Sequence, residues 1–318
     1  MQNITVIIPY FNERKSITKT FNLLINQTIK PNEIIFVNSS SNDNSEELIN
    51  DLINKTNNSS INIRNISRNT NFPSDSSNLG IRLARNELLA FMDCGLLFET
   101  NWLESQLTFM KLNEANAVLG VVKCSGEGIF DTSCICQTYG YLRKRPCHPG
   151  SLIKKQLFTE VGFFENRRSG FDVQWRGLLK KKKINFFIND KSIVKYDGIN
   201  FARTPYEALK KSIIYTAEST NLNYYKTPKY TIVIFVISIF SLIFFYKYFY
   251  LYIIVYIIAR VSIPFLKSRN TEYFKKNYKT ILFYFLYAGF FLDLGKLIGS
   301  FYGLIKYNIF DASIKYVD

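Results

Sequence analysis

From Tyr230 onward the chain changes character, and no feature limits its fold more. Residues 230–246 carry no charge and are almost wholly apolar; Lys247 interrupts, and 248–259 continue the run to Arg260. About 20 consecutive apolar residues make a helix long enough to cross a bilayer. Two arrangements fit: a hairpin of two short spans turning near Lys247, or one span with a long aromatic flank. Tyr246, Tyr248 and Tyr250 around Lys247 suit an interfacial belt, which favours the hairpin, over about residues 230–266. Residues 280–305 are apolar but broken by Asp293 and Lys296. That spacing permits one polar face, so this third apolar helix is expected to lie in the interface rather than to span. Lys267, Arg269, Lys275, Lys276 and Lys279 between the two segments place that loop, and the N-terminal domain with it, on the cytosolic side of the cytoplasmic membrane by the positive-inside rule.

The formal net charge of +15 does not argue for nucleic acid. Residues 220–318 hold twelve basic and four acidic side chains, so about half the excess sits with the greasiest segments. No nucleic-acid motif accompanies it. A hydrophobic fraction of 47% excludes wholesale disorder. Cys94, Cys124, Cys134, Cys136 and Cys147 lack a framework spacing and read as reduced thiols. His148 is the one histidine, too few for a zinc site. The N-terminus reads as a strand, with no basic start and apolar run of a secretory leader.

Residues before the tail alternate between two periodicities. ITVIIP (4–9), EIIFV (33–37), INIRNI (61–66) and ELLAFMD (87–93) read as short buried strands. Between them, residues 15–27, 45–54 and 75–86 read as helices. Residues 116–122 and 150–155 read as further strands, 124–150 as irregular, and 155–162, 171–183 and 202–222 as helices. Strand and helix in alternation predict a mainly parallel, Rossmann-like α/β sheet with helices on both faces. Ligands of such sheets sit beyond the carboxyl ends of the strands. The expected division is a cytosolic domain over 1–225 and a membrane-anchoring region over 226–318.

TVIIPYFNE, then EIIFVNSSSND, then LLAFMDCG closing a fourth strand, resemble in order and spacing the family 2 glycosyltransferases of the GT-A fold. The resemblance covers about residues 3–225. It implies a nucleotide-sugar donor, bound at the strand ends through Pro9, Tyr10, Asn12, Glu13, Asn38, Ser40, Arg68, Asn78 and Asp93. Tyr10 would offer a flat surface to the base and Glu13 an acceptor for ribose hydroxyls or base N–H. Asn38 stands where the family has a base-binding aspartate, and Arg68 would meet a phosphate.

Breaking the glycosidic bond loads charge onto a leaving diphosphate, which a divalent cation or Lys/Arg must stabilise. The resemblance implies Mg²⁺ or Mn²⁺ on Asp93. The family's Asp-x-Asp reads Asp93-Cys94-Gly95 here, without its second carboxylate, and Tyr196 stands where a further His often contacts the metal. The inverting reaction also needs a base for the acceptor hydroxyl. The family's Glu-Asp pair at a helix start reads Phe171-Asp172, so the resemblance implies Asp172 as base, with Trp175, Arg176 and His148 toward the sugar or acceptor. The expectation is a membrane-anchored inverting glycosyltransferase acting on a lipid-linked or envelope glycan acceptor. The alternatives are a polyprenyl-phosphate glycosyltransferase and a catalytically degenerate membrane scaffold of polysaccharide assembly.

Overall fold

The computed structural model describes residues 3–56, 60–69, 72–196, 201–220, 227–268 and 272–306. It divides into two compact units, Met1–Lys123 with Lys144–Asp197, and Cys124–Arg143 with Gly198–Asp318.

The first unit is built on β1 (Ile4–Tyr10), α1 (Ile17–Ile25), β2 (Glu33–Asn38), α2 (Ser45–Lys55), β3 (Asn62–Ser67), α3 (Pro73–Leu83), β4 (Leu88–Phe91) and α4 (Trp102–Leu112). The second unit's α5 (Gly128–Thr138) comes after β5 (Ala117–Cys124), and β6 (Arg145–Lys154), α6 (Gln156–Glu160), α7 (Phe171–Lys181) and β7 (Phe186–Tyr196) complete the first. The seven strands run in the order β3-β2-β1-β4-β6-β5-β7. β3, β2, β1 and β4 are parallel, and β6 runs antiparallel to both β4 and β5.

β1 and β2 are buried nearly throughout, as β-branched runs covered on both faces must be. Ile8, Phe36, Phe21 and Leu24 pack beneath α1 on one face. Ile7, Ile35, Leu79 and Phe158 pack on the other. Each such side chain contributes about 1.5–3 kcal/mol when fully buried. Gly80 makes the second layer possible, because a Cβ there would stand 2.4 Å from Ile7 Cγ2. Buried Glu33 is neutralised by Arg64 at 2.7 Å and accepts the Thr5 hydroxyl at 2.7 Å and the Arg85 N–H at 2.9 Å.

Two elements depart from the sequence expectation. Residues 124–150, expected to be irregular, contain α5 and the first half of β6. α5 buries the consecutive residues Asp131 to Cys136, polar and apolar alike, so no apolar helical periodicity announces it. α4 was not anticipated at all; its buried Trp102, Leu103, Leu107 and Met110 form a helical face.

The second unit gathers α5 with α8 (Pro205–Ser219), α9 (Thr227–Phe244), a 3₁₀ turn (Tyr246–Tyr248), α10 (Phe249–Ser268) and α11 (Glu272–Ile305). The apolar run thus breaks into two helices at Lys247. Among the described residues, 246–266 and 279–305 are long and apolar enough to cross a membrane, and α9 supplies a shorter apolar helix over 228–244. α11 lies against α8 at backbone distance: a Cβ on Gly295, Gly299 or Gly303 would meet atoms of α8 or of Thr220 just after it at 2.4–2.6 Å, an approach that only glycine allows. Asp293 and Lys296 do not line an outer polar stripe. Asp293 pairs with Arg260 of α10 at 3.0 Å, and Lys296 with Asp293 at 2.9 Å.

Candidate active site

The parallel half of the sheet reverses its winding between β1 and β4, the point at which such sheets open a ligand crevice. β4 pairs with β1 only from Ile4 to Ile7. Pro9, which cannot donate to a ladder, therefore falls where pairing on that side has stopped. The residues after β1 and β4 flank this opening.

Asp93 lies just beyond the end of β4. The Tyr196 hydroxyl, at the end of β7, donates to Asp93 Oδ2 at 3.1 Å. Burial, reinforced by the nearby Asp172 and Glu13 carboxylates, pushes the Asp93 pKa up to about 6 against that hydrogen bond. The Asp93 carboxylate thus feels the charges of Glu13 and Asp172, which the fold brings within electrostatic range of it. Glu13 is half-buried, with its pKa raised by burial, and its carboxylate accepts the Ser16 hydroxyl. Asp172 opens α7 after Gly170, whose φ of 75° permits the turn. Burial raises its pKa too, while Arg176 one turn on, 3.4 Å away, opposes the shift.

Gly95 has φ +83°, and a Cβ there would lie 3.4 Å from Ser16 and 3.6 Å from Glu13 Oε2. A second carboxylate at this position would need strained backbone beside an existing acid. Among the described residues no three His, Cys, Asp or Glu side chains form a cation site. The donors present fit a hard cation held chiefly by diphosphate oxygens, since Mg²⁺ accepts one or two carboxylates plus substrate phosphates.

Several of the expected residues have side chains engaged within the first unit. Tyr10 is 3% exposed, packed edge-on to Phe36, with its hydroxyl donating to Asn65 at 2.9 Å. Asn38 is buried, its amide donating to Glu46 at 2.7 Å and Ser67 at 3.3 Å and its carbonyl accepting the Ser41 N–H at 2.9 Å. Glu46 sits in the first turn of α2. Asn78 is committed to the Phe164 backbone, donating at 2.8 Å and accepting at 3.0 Å. With Ser74, which does the same for Arg167, it ties α3 to the loop leading into α7. Trp175 is core, stacked on Phe158 at 5.0 Å and donating to Gly162 O at 2.9 Å.

Other expected residues do line the strand ends. Asn12 (φ 55°) donates its backbone N–H to Ser41 and accepts from the Asn42 N–H, each at 2.9 Å, so the loops after β1 and β2 brace each other. Ser40 (φ 61°) and Arg68 are exposed beside them. Arg176 also reaches Pro146 O at 3.5 Å. His148 lies among Phe91, Phe164 and Phe171 at centroid distances of 4.3, 4.7 and 5.6 Å. Burial, then the Arg176 charge, lower its pKa to about 3, and its buried Nε2 makes no hydrogen bond among the described residues. Phe171, where the family pattern has Glu, closes that aromatic cage.

The family model for glycosyl transferase family 2 matches residues 5–173, just over half the chain. A curated relative, the poly(ribitol-phosphate) beta-N-acetylglucosaminyltransferase TarP of Staphylococcus aureus (strain N315), is 28% identical over 130 residues, 40% of this chain and 39% of TarP. An uncharacterized glycosyltransferase of Rickettsia bellii (strain RML369-C) is 32% identical over 110 residues, 35% of this chain and 15% of that protein. The chain thus spans well under half the length of the curated relatives it matches. Among solved structures, the mannosyltransferase PcManGT of Pyrobaculum calidifontis, in complex with GDP-Man and Mn²⁺, superposes with a TM-score of 0.50 at 13% identity, covering 67% of this chain and 62% of that one. The sheet order and the family match lead to one conclusion: the chain belongs to glycosyl transferase family 2.

Proposed function

We propose that this glycosyltransferase is membrane-anchored and inverting, and moves a sugar from a nucleotide-sugar donor onto an envelope glycan or lipid-linked acceptor. The observation that carries the reading is that two acids with raised pKa values, Asp93 just past β4 and Asp172 in the first turn of α7, lie within electrostatic range of each other. In-line displacement needs one group at the leaving diphosphate and another at the attacking hydroxyl. Asp93, at the strand end, serves the diphosphate side. Asp172, kept ionisable by Arg176, takes the acceptor proton; a base with a pKa raised toward the working pH is the better proton acceptor. Asp93 would hold a divalent cation, which when bound neutralises charge on the departing diphosphate.

Support for a glycan-polymer acceptor comes from TarP, whose name specifies transfer to poly(ribitol-phosphate). Support for the anchor comes from the two helices, among the described residues, long enough to cross a bilayer, which would keep the catalytic domain at the cytosolic face. A second reading, a scaffold of polysaccharide assembly, is favoured by Phe171 in the aromatic cage and by Gly95.

The test is nucleotide release from UDP-, GDP-, CDP- and dTDP-sugars by the detergent-solubilised chain, with and without Mn²⁺. Release from one donor class, lost in Asp93→Ala, supports the transferase reading. No release from any donor, in a protein that melts cooperatively, favours the scaffold.

A further inference from the structure

The second unit contains a charged pocket that the transfer reaction does not use. It measures about 190 Å³ and is lined by Gln137 of α5 and by Tyr256, Arg260, Ile263 and Pro264 of α10. A water occupies about 30 Å³ in the liquid, so the pocket has room for a group several times larger. Arg260 reaches α11 across Gly289: its Nη2 donates to Gly289 O at 3.3 Å, and a Cβ on Gly289 would stand 2.6 Å from Arg260 Nε and 2.9 Å from Gln137 Oε1. Behind it, Asp293 carries three partners. Arg260 pairs with it at 3.0 Å, Lys296 at 2.9 Å, and the Tyr256 hydroxyl donates at 2.8 Å.

Two cations therefore share one carboxylate, within helices whose outer residues are apolar. Arg260 Nε, though ion-paired, is buried and makes no hydrogen bond among the described residues. An excess positive charge in apolar surroundings is costly without an anion. The pocket's lip supplies the other half of a binding site, since Ile263 is 52% exposed and Ile257 and Ile258 continue the open apolar face of α10.

We propose that this pocket binds the phosphate of an anionic lipid, with Arg260 on the headgroup and the acyl chains along α10. The assignment rests on the membrane-anchored reading. A soluble phosphate offers the same anion but would leave the apolar lip uncovered.

The experiment uses the full chain in neutral dodecylmaltoside micelles and tracks its melting temperature on adding dioleoylphosphatidylglycerol, dioleoylphosphatidylcholine or inorganic phosphate. The expected result is an upward shift with phosphatidylglycerol alone. Arg260→Gln and Ile263→Trp abolish the shift, while Lys247→Gln, at the exposed turn between α9 and α10, retains it. Ile263→Trp fills the pocket while leaving the ion pairs, so it decides the matter if Arg260→Gln fails to fold. An undiminished shift in Ile263→Trp, or an equal shift with phosphatidylcholine or with inorganic phosphate, overturns the proposal. Flotation with phosphatidylcholine liposomes separates the two readings. If the native chain does not float, the membrane anchor fails and this proposal with it. If it floats and the phosphatidylglycerol shift survives Ile263→Trp, only the lipid-phosphate site is wrong.

Discussion

Tyr196 donates its hydroxyl to Asp93 Oδ2 at 3.1 Å, and this single bond restrains the rise of the one carboxylate that closes β4. The Asp93 pKa of about 6 makes the acid limb of activity its titration, with activity falling below that pH. Tyr196→Phe removes a hydrogen bond that favours the charged form, so the limb moves to higher pH; an unchanged profile would detach Asp93 from it. The stability effect has the opposite sense. A raised carboxyl pKa favours the protonated form, so folding is strongest near or below the ordinary value of 3.8 and weakens as pH rises through about 6. Asp93→Asn should therefore stabilise the chain by roughly 3 kcal/mol at pH 8, with little effect at pH 4, while losing transfer. Melting temperatures at the two pH values check this.

Asp172→Asn keeps the shape of the α7 start and removes the proton acceptor. Transfer should fall by about 10²–10⁴-fold, the usual contribution of a positioned base. Donor binding, measured by calorimetry with the nucleotide, should be unchanged. Retained turnover would move the base elsewhere.

Asn78→Ala strands the Phe164 N–H and C=O, both now paired with the buried amide. Each stranded buried group costs about 1–3 kcal/mol. Because that loop leads into Gly170 and Asp172, the variant should lose kcat more than donor affinity, as a steady-state comparison would reveal.

His148 stays neutral. Its pKa of about 3, set by burial and then by Arg176, means its ring proton signals should not titrate between pH 5 and 8 by NMR. A depressed histidine pKa stabilises the fold above the unfolded value of about 6.5 and loses that stability as pH falls toward 3. His148→Phe should accordingly blunt acid unfolding without shifting the activity profile between pH 6 and 9.

Much of the catalytic half was legible because its strands are buried on both faces. β1, β2 and β4 are short apolar runs, and the residues just past each of them, Glu13 and Asp93 included, lie at a strand end wherever the sheet is parallel. Asp172 was legible as a first-turn acid after a glycine. The expected site residues whose side chains the fold engages internally share one feature. Tyr10, Asn38, Asn78 and Trp175 have polar or aromatic side chains that suit a ligand as well as a core, and only their neighbours decide. Tyr10 went to Asn65, Asn38 to Glu46, Asn78 to Phe164 and Trp175 to Gly162, through partners 8–86 residues away in sequence. α5 was hidden for a related reason, half of its buried residues (Asp131, Thr132 and Ser133) being polar.

Local periodicity and apolar run length, by themselves, determined the parallel sheet, its strand ends and the break at Lys247, because both act within a few residues. The tertiary structure alone decided which acids meet. Asp172 raises the Asp93 pKa only because α7 lies near the end of β4, and Tyr196 reaches Asp93 only because Lys195 before it pairs with Leu97 in the segment after β4. In the helical unit, the sequence placed Asp293 and Lys296 on one helix face, but only packing turned that face toward Arg260. Electrostatic energies depend on distance and desolvation, and the fold sets both.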